Sequence, residues 1–164
     1  MHPRFVICSR LVIWDASDVK YTGSSTTLSA WYEWYPDDAY DFDGISFSVG
    51  DTVKVSVTAS SDSSGTATVE NTSTGKKVDH SFTSGTAGSL CETNAEWIVE
   101  DFEEGGSDVP LVNFGTVTFT SCEATKGGSS VDTSGSVMLN MRKQGQVLTS
   151  GTASGSEVTI KYTG

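Results

Sequence analysis

The run Asn94-Ala95-Glu96-Trp97-Ile98-Val99-Glu100-Asp101-Phe102 holds the residues best suited to proton chemistry. As a strand it places Ala95, Trp97, Val99 and Asp101 on one face and Glu96, Ile98, Glu100 and Phe102 on the other. Two carboxylates then share a face with two large apolar groups. A carboxylate among apolar side chains loses solvation and holds its proton to higher pH. Such a group can take a proton and return it under mildly acidic conditions. The same pattern also describes an ordinary solvated strand face, so the rest of the chain must decide between them.

A second run, Trp31-Tyr32-Glu33-Trp34-Tyr35-Pro36, is aromatic on both faces. Trp31, Glu33 and Tyr35 fall on one side, Tyr32 and Trp34 on the other. One face is expected in the core and the other along a groove, or the strand is central with both faces buried. Glu33 favours the groove, because a carboxylate between two aromatic groups needs a partner or a cleft.

Other chemistries have little support. Ser and Thr are too abundant for any one hydroxyl to stand out, and His2 and His80 read as ordinary surface residues, so a Ser-His-Asp triad is not expected. Cys91 has no evident activating His. Cys8, Cys91 and Cys122 allow one disulfide with one free thiol, or three reduced thiols. No Cys/His spacing suggests a metal site, and no cofactor is implied.

The elements that must hold these residues are strands. Residues 4–8, 11–21, 30–35, 45–49, 52–59, 66–70, 77–82, 95–102, 114–120, 137–141, 146–149 and 157–162 read as extended segments. In 52–59, Val53, Val55 and Val57 point inward, while Lys54, Ser56 and Thr58 point outward. Asn71-Thr72-Ser73-Thr74-Gly75 turns a hairpin and carries a glycosylation sequon, usable only on the secretory route. Helical periodicity is nowhere sustained. The expectation is an all-β fold, an antiparallel β-sandwich of jelly-roll or concanavalin-like form. Residues 24–164 are read as its single domain, and residues 1–23 as a divergent or truncated N-terminal segment.

Composition narrows the partners. The 164 residues carry 10 Lys plus Arg against 21 Asp plus Glu, a net charge of -11. Nucleic acid and anionic membrane surfaces are not expected partners, since no basic stripe exists to meet phosphates. There is no run of ~18 apolar residues to span a bilayer. With few basic groups to repel one another when the carboxylates are neutral, acid unfolding is weakly driven. Near the start, Phe5-Val6-Ile7-Cys8 and Leu11-Val12-Ile13-Trp14 are separated by Ser9-Arg10, a poor match to a signal peptide.

Residues 30–37 (Ala-Trp-Tyr-Glu-Trp-Tyr-Pro-Asp), 94–102 and 114–120 (Phe-Gly-Thr-Val-Thr-Phe-Thr) together resemble the fungal glutamic peptidases, the eqolisins. Residues 50–58, 65–71 and 80–82 are similar in the same order and spacing. The resemblance implies a secreted, monomeric acid endopeptidase with a polypeptide substrate, a two-sheet sandwich, a cleft on a concave face and no metal. It implies a glutamate that activates water and then protonates the leaving amine, assisted by a glutamine amide that steadies the oxyanion. Glu100 matches the glutamate, with Glu96 the other candidate. Trp31 and Glu33 match cleft residues, Asp18 an acidic neighbour of the catalytic pair, and Cys8 with Cys91 a disulfide, which leaves Cys122 free.

The chain departs from the family at one decisive place. The family glutamine lies six residues after a cysteine and four before an aspartate. Cys8 and Asp18 supply that frame, and the position between them is Trp14. An indole N–H can donate a hydrogen bond but cannot reproduce an amide's geometry. Gln144 and Gln146 match no family motif. Family members also carry further strands before this point. The alternative to a peptidase is a non-catalytic relative binding peptide or carbohydrate in an aromatic cleft of Trp14, Trp31 and Tyr35.

Overall fold

A computed structural model describes residues 2–6, 13–21, 26–83, 87–100, 103–104, 107–108 and 111–164. Cys8, Asp101 and Phe102 lie outside these described residues. The chain divides into two compact units, Met1–Glu100 and Asp101–Gly164. Both are built from antiparallel strands, with no helix among the described residues.

Among the described residues the first unit has eight strands: β1 (His2–Val6), β2 (Ile13–Tyr21), β3 (Thr26–Trp34), β4 (Tyr40–Asp41), β5 (Val53–Ser61), β6 (Ser64–Asn71), β7 (Lys76–Phe82) and β8 (Glu96–Glu100). They form a five-stranded sheet in the order β4-β3-β2-β1-β8 and a three-stranded sheet in the order β5-β6-β7. Ala30, Trp34 and Phe42 from the first sheet and the segment after β4 meet Ala67, Val69 and Phe82 from the second, with Leu90 closing the cluster. Tyr32, Val53, Val55, Val57 and Val78 pack around it. The fold is thus the expected antiparallel sandwich, and the Val53, Val55 and Val57 alternation does face inward. A core valine such as Val69, fully buried, contributes about 2 kcal/mol through the apolar area it removes from water.

The β6–β7 hairpin keeps Asn71 opposite Lys76 and turns through Thr72–Gly75. Asn71 is fully buried at its base. Its Nδ2 donates to the Ser46 carbonyl at 3.0 Å and to Asp51 Oδ2 at 2.7 Å. Its Oδ1 accepts from the backbone N–H groups of Ser73 and Thr74 at 3.1 and 3.2 Å. These bonds explain one departure from expectation. Residues 45–49 are not a strand, although Ile45 and Phe47 do pack against the core. Their polar backbone groups are met by side chains and a turn: Ser46 by Asn71, and Ser48 by Asp51, whose Oδ2 accepts from Ser48 N at 2.8 Å. No ladder is then needed to satisfy them.

The second unit contains β9 (Glu103–Glu104), β10 (Ser107–Asp108), β11 (Thr116–Phe119), β12 (Ala124–Lys126), β13 (Ser129–Val131), β14 (Arg142–Lys143), β15 (Gln146–Val147), β16 (Thr149–Ser154) and β17 (Glu157–Tyr162). A three-stranded sheet runs β11-β17-β16, and the short strands pair as hairpins β9–β10, β12–β13 and β14–β15. Thr133, fully buried, shares its hydroxyl between the carbonyls of Gly155 and Glu157 at 2.7 and 3.1 Å. The expected strand over 137–141 is absent. Val137 and Leu139 are 84% and 88% exposed. Alternation makes a segment able to pair, but here the neighbouring edge is met mainly by side chains. Met141 N donates to Thr149 Oγ1 and Gly151 N to Asn140 Oδ1, both at 2.8 Å, with one backbone bond from Leu148 N to the Met141 carbonyl at 2.9 Å, so no ladder is built.

Cys122 is a free thiol, buried within this unit. Burial raises its pKa above the ordinary 9.0, the Val158 backbone hydrogen bond opposes that, and the nearby Glu157 charge adds to it. A thiol held protonated and covered is a poor nucleophile. Cys122 is therefore expected to resist iodoacetamide in the native protein and to react promptly once the protein is unfolded in guanidinium. Rapid labelling under native conditions would contradict this placement.

Candidate active site

The five-stranded sheet gathers the site residues by register. Arg4 of β1 stands opposite Ala16 of β2 and Ile98 of β8. Ala16 in turn stands opposite Trp31 of β3, and Trp31 opposite Asp41 of β4. One row therefore crosses the whole sheet at Ile98, Arg4, Ala16, Trp31 and Asp41. The next row holds Glu100 opposite His2, and Asp18 opposite Ser29. Continuing the β1–β2 register joins these halves at His2 and Asp18. The row on the other side holds Glu96 opposite Val6, and Trp14 opposite Glu33, joined in the same way.

Directly opposed residues share a face, as do residues two apart on a strand. Glu96, Glu100, Trp14, Asp18, Trp31 and Glu33 consequently occupy positions on one face of a single sheet. The alternate positions Ala30, Tyr32 and Trp34 belong to the opposite face, which covers the sandwich core. This separation resolves the doubly aromatic strand: one aromatic set packs inside, and the other lies on the side that carries the carboxylates.

The register also sets separations. Neighbouring strands lie about 4.8 Å apart, so Glu100 and Asp18, two strands apart in one row, have Cα atoms about 10 Å apart. Glu96 and Trp14 have the same relation. Glu100 and Trp14 differ by two strands and four residues, about 16 Å between Cα atoms. The Asp18 position thus shares the row of Glu100, while the Trp14 position falls in the row of Glu96 and Glu33.

The carboxylates are not on an open surface. Glu33, Glu96 and Glu100 are each half-buried, and Oε2 of Glu100 is closed off from solvent. Trp31, at 8% exposure, is covered, whereas Tyr35 is 50% exposed. Trp97 and Val99, between the two glutamates, are half-buried and buried respectively, and hold β8 from its other face. A half-buried glutamate on a packed strand is oriented by its neighbours, as general acid–base work requires.

A disulfide at Cys91 was implied by the resemblance, whereas the placements of the two glutamines and of His80 were beyond the reach of sequence reasoning. Cys91 is disulfide-bonded, and its expected partner, Cys8, lies outside the described residues. Gln144 and Gln146 sit exposed in the β14–β15 hairpin of the second unit, Gln144 in the turn with a φ of 50°. His80, read as a lone surface residue, stacks on Tyr32 with ring centroids 3.9 Å apart. Among the described residues, no group of three or more His, Cys, Asp or Glu side chains is arranged to hold a metal ion. No helix among the described residues is long and apolar enough to cross a membrane.

Comparison with known proteins bears on the family and the fold. The sequence pattern of the Peptidase A4 family matches residues 8–162. The chain is 51% identical over 155 residues to aspergillopepsin-2 of Aspergillus niger, covering 94% of this chain and 55% of that protein. It is 46% identical over 143 residues to scytalidopepsin B of Scytalidium lignicola, covering 83% of this chain and again 55% of the relative. The chain thus spans about half the length of the curated relatives it matches. Among solved structures, aspergilloglutamic peptidase from Aspergillus niger superposes with a TM-score of 0.93 at 48% identity, over 99% of this chain and 98% of the other. A scytalido-glutamic peptidase bound to a peptide-based transition state analog superposes at 0.83 with 36% identity, over 99% of this chain and 82% of the other. With the motifs and the antiparallel sandwich in agreement with these matches, the chain belongs to the Peptidase A4 family, the eqolisins.

Proposed function

We propose that this chain supplies the catalytic face of an acid endopeptidase in which Glu100 activates the attacking water. The observation that carries the reading is the gathering of Glu100, Glu96, Asp18, Trp31, Glu33 and the Trp14 position on one face of one antiparallel sheet. Glu100 takes a proton from water as its oxygen attacks the scissile carbonyl. It then returns that proton to the departing amine as the tetrahedral intermediate collapses. A glutamate titrates near ~4.3 when unperturbed, so both forms are accessible in acid. Trp31 and Glu33 contribute to the substrate cleft, and Asp18 supports the carboxylate end of Glu100's row. The substrate is a polypeptide, bound by a monomer, in an extracellular acidic medium. The Cys8–Cys91 pairing that the resemblance implies belongs to this reading, with Cys91 disulfide-bonded.

The role of Glu100 is tested by assaying cleavage of an unfolded protein substrate across acidic pH. Glu100→Gln keeps the shape of the side chain and removes its basicity, so it is expected to abolish turnover. Glu96→Gln is expected to retain most of it. The reverse pattern would move the base to Glu96, whose row contains Trp14.

Trp14 favours a second reading. An indole at the amide's position leaves the oxyanion without its family donor, which describes a non-catalytic relative whose aromatic face binds peptide or carbohydrate. Absence of acid proteolysis, together with saturable quenching of tryptophan fluorescence by a peptide or glycan, would establish it.

A further inference from the structure

The core-facing side of β3 forms a second concavity, separate from the carboxylate face. A cavity of about 320 Å³ lies where Tyr32 and Trp34 of β3 meet His80 and Phe82 of β7, with Asp37, Asp38 and Tyr40 along its rim. The wall is aromatic and ordered by contact. Tyr32 stacks on His80 at 3.9 Å, His80 meets Phe82 edge-on at 4.8 Å, and Tyr40 lies tilted 6.1 Å from Tyr32. The volume is at the small end of ligand sites, enough for one extended side chain.

Its charge is one-sided. Asp37 is anchored: its N–H donates to the Trp34 carbonyl at 2.7 Å, and its Oδ2 accepts from Ala87 N at 3.2 Å. Asp38 is exposed and makes no hydrogen bond or ion pair among the described residues. No Lys or Arg lines the cavity. Burial lowers the pKa of His80 from the ordinary 6.5, so the imidazole is neutral at pH 7 and adds no positive charge. The indole Nε1 of Trp34, buried in a residue 1% exposed, has no acceptor.

We infer that this cavity is a binding site for the basic side chain of a polypeptide, an arginine guanidinium or lysine ammonium seated against Tyr32 and Tyr40 and paired with Asp38. Ring faces attract cations, and a carboxylate at the rim selects for positive charge. A sugar would also stack on these rings. Its hydroxyls could also donate to the carboxylates, but a neutral sugar forms no ion pair with Asp38, and that added attraction decides the choice. The site lies on the opposite face of β3 from Trp31 and Glu33, so it acts as an anchoring point apart from proteolysis and does not depend on that activity.

The test is NMR titration of the His80 ring proton at pH 7, assigned with a His2→Gln variant because the chain has only two histidines. The probes are Nα-acetyl-arginine amide, Nα-acetyl-norleucine amide and glucose. Saturable shifts are expected with the arginine probe at millimolar concentration, with norleucine and glucose much weaker. Asp38→Asn, at an exposed position, should keep the fold and weaken the arginine probe about tenfold. No saturation up to about 50 mM, equal binding of norleucine, stronger binding of glucose, or unchanged affinity in Asp38→Asn would each overturn the assignment.

Discussion

Trp14→Gln is expected to raise acid-pH hydrolysis of an unfolded protein substrate by about a hundredfold to a thousandfold. That is the range associated with a single well-aimed oxyanion donor. The physical basis is the difference between an indole and a carboxamide. The indole offers one N–H, no acceptor and a rigid bicyclic frame. The amide offers two donors and an acceptor on a flexible stem, and can hold the water and the developing oxyanion together. The position lies in a strand whose register with β3 is continuous from Ile13–Trp34 to Tyr21–Thr26, so the substitution is made within an established ladder.

In the Trp14→Gln background, Glu100→Gln should return activity to the uncatalysed level. Because the Trp14 position shares a row with Glu96 and not with Glu100, Glu96→Gln in the same background is the decisive companion measurement. A gain that survives Glu100→Gln but not Glu96→Gln would reassign the base. No gain at all, with the fold intact by circular dichroism, would favour the non-catalytic relative.

Asn71→Ala is expected to destabilise the chain by roughly 3 kcal/mol, lowering the melting midpoint by about 6–12 °C. The buried amide makes four hydrogen bonds, joining the hairpin turn to Ser46 and Asp51. Alanine removes all four, strands the Ser46 carbonyl, and leaves the Asp51 carboxylate with one donor fewer. Asn71→Asp retains the acceptor for Ser73 and Thr74 but sets a second carboxylate against Asp51, and should also destabilise. A shift under 2 °C in Asn71→Ala would show that the bonds are replaced by water at little cost.

The same geometry decides the sequon. A glycan on Asn71 would occupy the nitrogen that holds Ser46 and Asp51, inside a fully buried residue. Protein secreted from a glycosylating host is expected to show no mass change at this tryptic peptide after glycosidase treatment. A glycan found there on folded protein would contradict the burial.

Much of this arrangement was legible from residue order. Period-two alternation identified β5, β8, β11 and β17, because burying one side of a sheet requires it, and the turn residues after Asn71 marked the hairpin. The carboxylate face of β8 followed from parity, and the family motifs pointed to Glu100, Trp31 and Glu33. The same rule misread 45–49 and 137–141. Alternation reports only which side chains could share a face, whereas a ladder needs a second backbone edge. In one case Asn71 and Asp51 met the polar groups first. In the other, Thr149 Oγ1 and Asn140 Oδ1 take backbone N–H groups that a ladder would have paired.

Sequence by itself determined the fold class, the family and the two apolar–acidic runs, since these depend on local periodicity and on long motifs. Tertiary structure alone decided what lies beside what. Cross-strand register placed Asp18 in the row of Glu100 and Trp14 in the row of Glu96, because register joins residues distant in the chain through backbone bonds that no side-chain pattern encodes. Burial converted Asn71 from a modification signal into a structural joint, and His80 from a surface residue into a ring stacked on Tyr32. The first depends on the 45–51 segment folding against the hairpin turn and the second on the meeting of two sheets, and both become defined only when the chain has packed.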